Sequence, residues 1–196
     1  MDDFTFEAFP KIGRLSRDMI VTEKLDGTNA QIIVNEEGRL AAASRSRLLG
    51  YQLESGGWTW VNSDNHGFGE WVCTNAETLR ALGPGRHFGE WWGGGIQRGY
   101  GLGHEKRFSL FNVRRWGEVR PIGCHVVPTL YTGDFDTETV GVVMAHLLAG
   151  GSVAAPGFAK PEGVVIFHTQ SGALFKKTFE KDDAGKGNEP LPEMAA

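Results

Sequence analysis

The sequence predicts an α+β fold made mainly of antiparallel sheets with flanking helices. Three observations carry that expectation. Apolar runs of strand length outnumber helical windows, Gly and Asn punctuate them at turn spacing, and strands follow strands instead of alternating with helices. A doubly wound parallel sheet would need that alternation.

The elements follow in order. Residues 19–23 and 30–35 flank a DGTN turn (26–29), and NEEG (35–38) leads into a strand at 39–43. Gly and Asn stand where turns tolerate positive φ. TNAETLRALG (74–83) reads as a helix with Thr74 or Asn75 as N-cap and Gly83 closing it. Strands are expected at 87–92, 107–116 and 125–130. A second helix at 136–151 has an acidic first turn and a closing Gly pair, and strands at 163–168 and 173–179 follow it. The glycine-dense GGGIQRGYGLG (93–103) lacks a GKS or GKT ending and does not read as strand–GxGxxG–helix, so a flexible loop, a candidate lid, is expected there. Residues 1–180 are read as one domain and 181–196, polar and rich in Gly and Pro, as a mobile tail.

With 196 residues, 40% of them hydrophobic, the chain is long enough to bury a core. Its longest apolar runs, such as 141–149, are too short to cross a bilayer, and the acidic MDDFTFEAFP start lacks the features of a signal peptide. Cys73 and Cys124 show no CxxC spacing and the six histidines are scattered, so a reduced, cytoplasmic protein without structural zinc is expected. The formal charge of −4 is uneven: residues 181–196 carry −2, Asp2 and Asp3 another −2, and 4–180 are near neutral. Within 98–120, six basic side chains face only Glu105 and Glu118, an excess of +4 that suits either a phosphate-binding surface or a solvated strand pair.

The chemistry centres on TEKLDGTNA (22–30). Lys24 is either an exposed hairpin residue or a nucleophilic amine, and a free lysine titrates near ~10.4, so the second role needs desolvation or nearby cations. Companions decide between them: ASRSR (43–47), FGEWWG (88–93), SLFNV (109–113), PEGVVI (161–166) and LFKKTF (174–179). Glu90 sits between Phe88 and Trp91, where an unpaired carboxylate is costly, and Phe111 offers a flat face to a base or to the core. Glu162 opens an apolar strand and suits a Mg²⁺ ligand or a solvent-facing edge residue.

In this order the segments resemble motifs I, Ia, III, IIIa, IV and V of the covalent nucleotidyltransferases, the superfamily of DNA ligases, RNA ligases and mRNA-capping enzymes. EKLDGTN, with Asn29 after Gly27 and Thr28, is similar to the RNA-ligase branch. The resemblance implies a nucleotidyltransferase domain around an ATP cleft, with ATP and Mg²⁺ (or Mn²⁺) as cofactors and RNA ends, in a single strand or a nicked duplex, as partners. It also implies site residues. Lys24 is the nucleophile that becomes lysyl-AMP. Glu23, Asn29, Arg45 (with Arg47 as runner-up), Glu90 and Phe111 contact nucleotide. Glu162 is the metal ligand, and Lys176, with Lys177 as a second, sits near the α-phosphate. The motif V pattern departs from the family's, because Thr178 stands where a second base is usual. The implied activity is ATP-dependent joining of 5′-phosphate and 3′-OH RNA ends, the alternatives being a DNA-end ligase, another adenylyltransferase or a non-catalytic nucleotide- or RNA-binding module. Only 17 residues follow Phe179, so RNA binding is expected to rely on the 98–120 surface or on a partner protein in place of a C-terminal domain.

Overall fold

The structure, a computed structural model, describes residues 7–117 and 119–180. The tail expected at 181–196 lies outside these residues. Eleven strands are described: β1 (Asp18–Lys24), β2 (Thr28–Val34), β3 (Leu40–Ser44), β4 (Leu48–Gln52), β5 (Trp58–Trp60), β6 (Gly85–Gly93), β7 (Lys106–Leu110), β8 (Cys124–Val126), β9 (Thr129–Asp134), β10 (Gly163–His168) and β11 (Leu174–Thr178). The helices are α1 (Phe68–Thr74), α2 (Ala76–Leu79), which runs into a 3-10 turn at Arg80–Leu82, and α3 (Thr137–Gly150).

The strands form two sheets. The smaller has the order β11-β10-β1-β9, the larger β5-β4-β3-β2-β6-β7-β8. All described pairings are antiparallel except β7 with β8. Side chains alternate across each strand, so each sheet buries one face. In the smaller sheet Met19, Val21, Val164 and Ile166 meet Val140, Val143, Met144 and Leu147 of α3. In the larger, Ala30, Ile32, Val34, Phe108 and Leu110 meet Phe68 and Val72 of α1 and Leu79 of α2. Each such side chain contributes roughly 1.5–3 kcal/mol on burial. A third cluster of Leu25, Trp92, Tyr100, Val127 and Ala155 joins the two sheets, leaving their other faces to flank a cleft.

α3 matches the expected helix: Asp136 caps it by accepting from the Glu138 and Thr139 amides, and Gly151 follows its end. Several other expectations are corrected. The helix expected at 74–83 starts earlier and is broken. Phe68–Thr74 is already helical, Asp64 accepts from the Gly69 and Glu70 amides, and Asn75 interrupts it by donating to Trp71 O. The single strand expected at 125–130 is two strands in different sheets, because the chain crosses at Val127-Pro128, where Pro128 O accepts from the Glu23 amide. The strand expected at 107–116 stops at Leu110, since Asn112 Oδ1 captures the Arg115 amide in a turn. Strands β4 and β5 were not foreseen. They pair through Gly50, where a Cβ would fall 2.5 Å from Trp58 Nε1. Among the described residues no helix is long and apolar enough to cross a membrane.

Candidate active site

Lys24 is the last residue of β1, and its strand neighbour on β10 is Gly163, itself paired with Thr178 of β11. A Cβ on Gly163 would meet Lys177 O at 2.1 Å, so the position beside the lysine carries no side chain. Glu162, just before β10, fills that space, and its Oε2 accepts from Lys24 Nζ at 2.6 Å. The side chains are 24% and 17% exposed, so the pair is half-buried and still reachable. Burial raises the Glu162 carboxyl above its ordinary range, with Lys24 opposing that rise.

The turn after Lys24 is held from three directions. The Asp26 amide donates to Tyr100 Oη at 2.7 Å, and the Asp26 carboxylate pairs with Arg98 Nε at 2.9 Å. Arg98 also reaches Lys160 O and the Glu180 carboxylate, each at 3.5 Å. The Gly27 amide donates to Glu90 Oε1 at 3.1 Å, and a Cβ there would sit 2.4 Å from Trp91 O. Only glycine lets the turn lie this close to β6.

Across the cleft, Asn29 and Glu90 are register partners, and Asn29 Nδ2 donates to Glu90 Oε2 at 2.8 Å. Burial pushes the Glu90 carboxyl up to about 7, against the hydrogen bond from Asn29 and the charge of Lys24. One row further along the same face, Gln31 pairs with Phe88, and the Phe111 amide donates to Phe88 O. There Asn29, Gln31, Ser44, Arg45, Phe88 and Phe111 line a hollow of about 160 Å³. Phe88 and Phe111 are 52% and 42% exposed, so neither is a core residue.

The structure therefore brings Lys24, Glu162, Asn29, Glu90, Arg45 and Phe111 onto the two walls of one cleft. Two expected site residues lie elsewhere. Glu23 alternates to the α3 side of β1 and is 1% exposed, its carboxylate accepting from Ser152 Oγ and the Val153 and Ala154 amides. Its side chain is fully engaged in tying the chain after α3 to β1. Lys177 pairs with Val164, whose side chain packs under α3, so it too faces the back of the sheet. Lys176 pairs with Val165, which pairs with Thr22, and so shares the face of Lys24. The glycine-rich loop is not the free lid expected. Ile96 and Tyr100 are buried, and Tyr100 packs against Trp92 and Phe158. Its one cation and its one aromatic, set among glycines, were the available signal that it anchors something. The basic 98–120 stretch is also largely engaged: Lys106, Arg107, Arg115 and Arg120 all donate to backbone carbonyls.

Among the described residues no three His, Cys, Asp or Glu side chains cluster as a metal cage. Glu162, with Asp26 near enough to bear on its charge, is the hard oxygen donor beside Lys24. One or two carboxylates completed by water and phosphate oxygens is the donor set that Mg²⁺ accepts.

A mixed fold of mostly antiparallel sheets, with a strand-end lysine on one wall of the cleft and a carboxylate–amide pair on the other, defines a nucleotidyltransferase-type ligase domain. The chain belongs to the RNA ligase family, whose model matches residues 17–178. It is similar in fold to solved structures of Naegleria gruberi RNA ligase. For an arginine-to-alanine variant with ATP and Mn the TM-score is 0.55 at 18% identity, covering 85% of this chain and 51% of that one. For a lysine-to-alanine variant with ATP and Mn the values are 0.57, 19%, 83% and 50%. An aspartate-to-alanine variant in its apo form gives 0.57, 18%, 84% and 50%. The chain thus spans about half the length of these structures. No curated protein sequence matches it.

Proposed function

We propose that this chain is an ATP-dependent RNA ligase that joins 5′-phosphate and 3′-OH ends through a lysyl-AMP intermediate on Lys24. The observation that carries this reading is the Lys24–Glu162 contact at 2.6 Å, facing the Asn29–Glu90 pair across the cleft. In the first step the neutral Lys24 amine attacks the α-phosphorus of ATP. The N–P bond forms, the bond to pyrophosphate breaks, and the proton that the amine gives up passes to the departing pyrophosphate or to solvent. Phe111 and Phe88 offer the flat faces on which the base stacks, and Asn29 with Glu90 lies where ribose hydroxyls need partners. Lys176, on the same sheet face, stabilises charge on the phosphoryl oxygens. Glu162, assisted by Asp26, would hold a Mg²⁺ or Mn²⁺ ion, which when bound neutralises phosphate charge.

In the second step an RNA 5′-phosphate oxygen takes the AMP, which restores the Lys24 amine. In the third, a 3′-OH attacks that 5′-phosphate and AMP leaves. The neighbours' binding of ATP and Mn supports the cofactor assignment. The chain is read as one catalytic domain over 1–180, acting in the cytoplasm on RNA ends, with room for a partner protein. Incubation with ATP and Mg²⁺ is expected to add the mass of AMP to the intact protein. Lys24→Ala is expected to abolish that adduct, and an adduct persisting in the variant would falsify the nucleophile assignment. Supplying RNA and DNA ends separately to the adenylylated protein distinguishes RNA sealing from DNA sealing.

A further inference from the structure

We infer that the open face of the larger sheet is a platform for unpaired RNA next to the end being joined, so that the chain acts on single-stranded ends and not on nicks in a continuous duplex. The inference rests on the function proposed above. Its starting point is a face with no cover. The α1 side of β2, β3 and β6 is packed, while on the opposite side Arg86, Phe88 and Tyr51 are exposed.

The pairing register lays out that face in rows. Beyond the row of Gln31 and Phe88 comes one in which Arg86 pairs with Ile33, Ile33 with Ala41, and Ala41 with Tyr51. Arg86 and Tyr51 are therefore three strand spacings apart, on the order of 14 Å. Tyr51 is 39% exposed, Arg86 is exposed, and the small Ala41 lies between them. Arg86 is held by a hydrogen bond to Gln31 at 3.2 Å and has no ion pair among the described residues. The β3–β4 turn places Arg45 and Arg47, both exposed, at the cleft end of β3, where Arg45 borders the hollow of Phe88 and Phe111. Glu90, in the cleft itself, is the one carboxylate among these register rows. Acidic groups return only at the far turns, where Glu37 and Glu54 are paired with Arg39.

Exposed aromatics on an antiparallel sheet, with arginines beside them and no carboxylate in their rows, match one ligand chemistry. Bases stack on the ring faces and phosphates meet the guanidinium groups. A paired base has no free face to offer Tyr51, so the platform selects unpaired nucleotides. The acidic far turns repel phosphates, so the strand crosses the sheet from Phe88 toward Tyr51 and does not run along the strands.

The test uses the full chain and a 5′-phosphorylated 12-nucleotide RNA, either single-stranded or as one arm of a nicked duplex, with binding followed by fluorescence anisotropy. Tyr51→Ala is expected to weaken single-strand binding roughly ten-fold. Arg86→Ala is expected to weaken it and to lower the salt slope by about 0.7. Duplex binding is expected to change less than two-fold in both variants. Equal single-strand affinity in wild type and both variants, or tighter wild-type binding to the nicked duplex, overturns the inference. AMP-adduct formation, measured in parallel by intact mass, separates the two readings. Loss of RNA binding in the variants, with no adduct in any protein including wild type, sinks the ligase function and leaves the platform standing. Adducts in all three proteins with unchanged RNA binding sink only the platform.

Discussion

The two ends of the cleft are finished to different degrees. Around Lys24 the charges already have partners. Lys24 is paired with Glu162, Asp26 with Arg98, Arg98 with Glu180, and the neighbouring Glu23 with three donors. At the other end Arg45, Phe88 and Phe111 stand open around a hollow with no ion pair among them. The difference teaches where geometry must exist before the substrate arrives. Bond-making needs groups fixed in advance, because reorganisation during reaction raises the barrier. Stacking and phosphate contact need surface that the ligand itself completes.

The largest effect is expected where the finished end is cut. Glu162→Ala should lower the rate of AMP-adduct formation by ~10²–10³-fold, the scale for losing one preorganised electrostatic group. Single-turnover intact-mass kinetics measures it. A loss under about five-fold would mean that the Lys24–Glu162 pair serves only the fold, and the contrast between the two ends would fail.

Glu90 sits where the two ends meet, and its pH dependence comes next. Its folded carboxyl is raised from 4.5 to about 7, chiefly by burial, with Asn29, Lys24 and the Gly27 amide opposing and Glu162 assisting. A group raised on folding contributes its full stability below its unfolded value and loses it as pH rises through the folded value. Ionised Glu90 should therefore cost the protein up to about 3 kcal/mol at pH 8, at 1.36 kcal/mol per pKa unit. Glu90→Gln mimics the neutral form. Its stability advantage over wild type in urea unfolding should be smallest below pH 5, grow from pH 5 to 7 and level off above that. An advantage that stays flat across that range would show that the site keeps Glu90 ionised at little cost.

Tyr100→Phe tests how the finished end is held. The ring still packs against Trp92 and Phe158, but the Asp26 amide loses its acceptor, at a cost of roughly 1–3 kcal/mol. Stability should fall by that amount, and the adduct-forming rate should fall with KM for ATP nearly unchanged, because the turn and not the base hollow is disturbed. A raised KM with unchanged kcat would place the glycine loop at the open end instead.

What the sequence disclosed follows the same division. What was legible was local character: EKLDGTN as a turn, Glu90 as a carboxylate needing partners, and Glu162 opening an apolar strand, while the partners of those two carboxylates lie 61 and 138 residues away. The class and sheet content followed from turn spacing and the scarcity of helical windows. Contacts between distant segments were not legible. Nothing local to Arg98 says that it will meet Asp26, 72 residues away, or that Tyr100 will accept that residue's amide. Glu23 misled for a related reason. Adjacent residues on a strand face opposite ways, so the residue beside the lysine had to leave the cleft, and which donors it would find depended on the chain after α3. Strands β4 and β5 escaped notice because Gly50 and the spaced tryptophans imitate a loop until they pack.

The smallest expected effect is the sharpest test of register. Lys176 and Lys177 are adjacent on an edge strand, alike in chemistry and both exposed, and they differ only in the face they take. Lys176 follows the row of Thr22, two residues before Lys24, while Lys177 follows Val164 onto the α3 side. Lys177→Ala should leave the adduct-forming rate within two-fold of wild type, because a side chain on the back of the sheet points away from the face on which the proposed nucleophile Lys24 would meet phosphate. Lys176→Ala, measured beside it, should slow the same step about ten-fold or more. Were the two results exchanged, β11 would have to shift by one residue against β10. Thr178 would then leave its place opposite Gly163, and the close approach that requires glycine there would lose its cause.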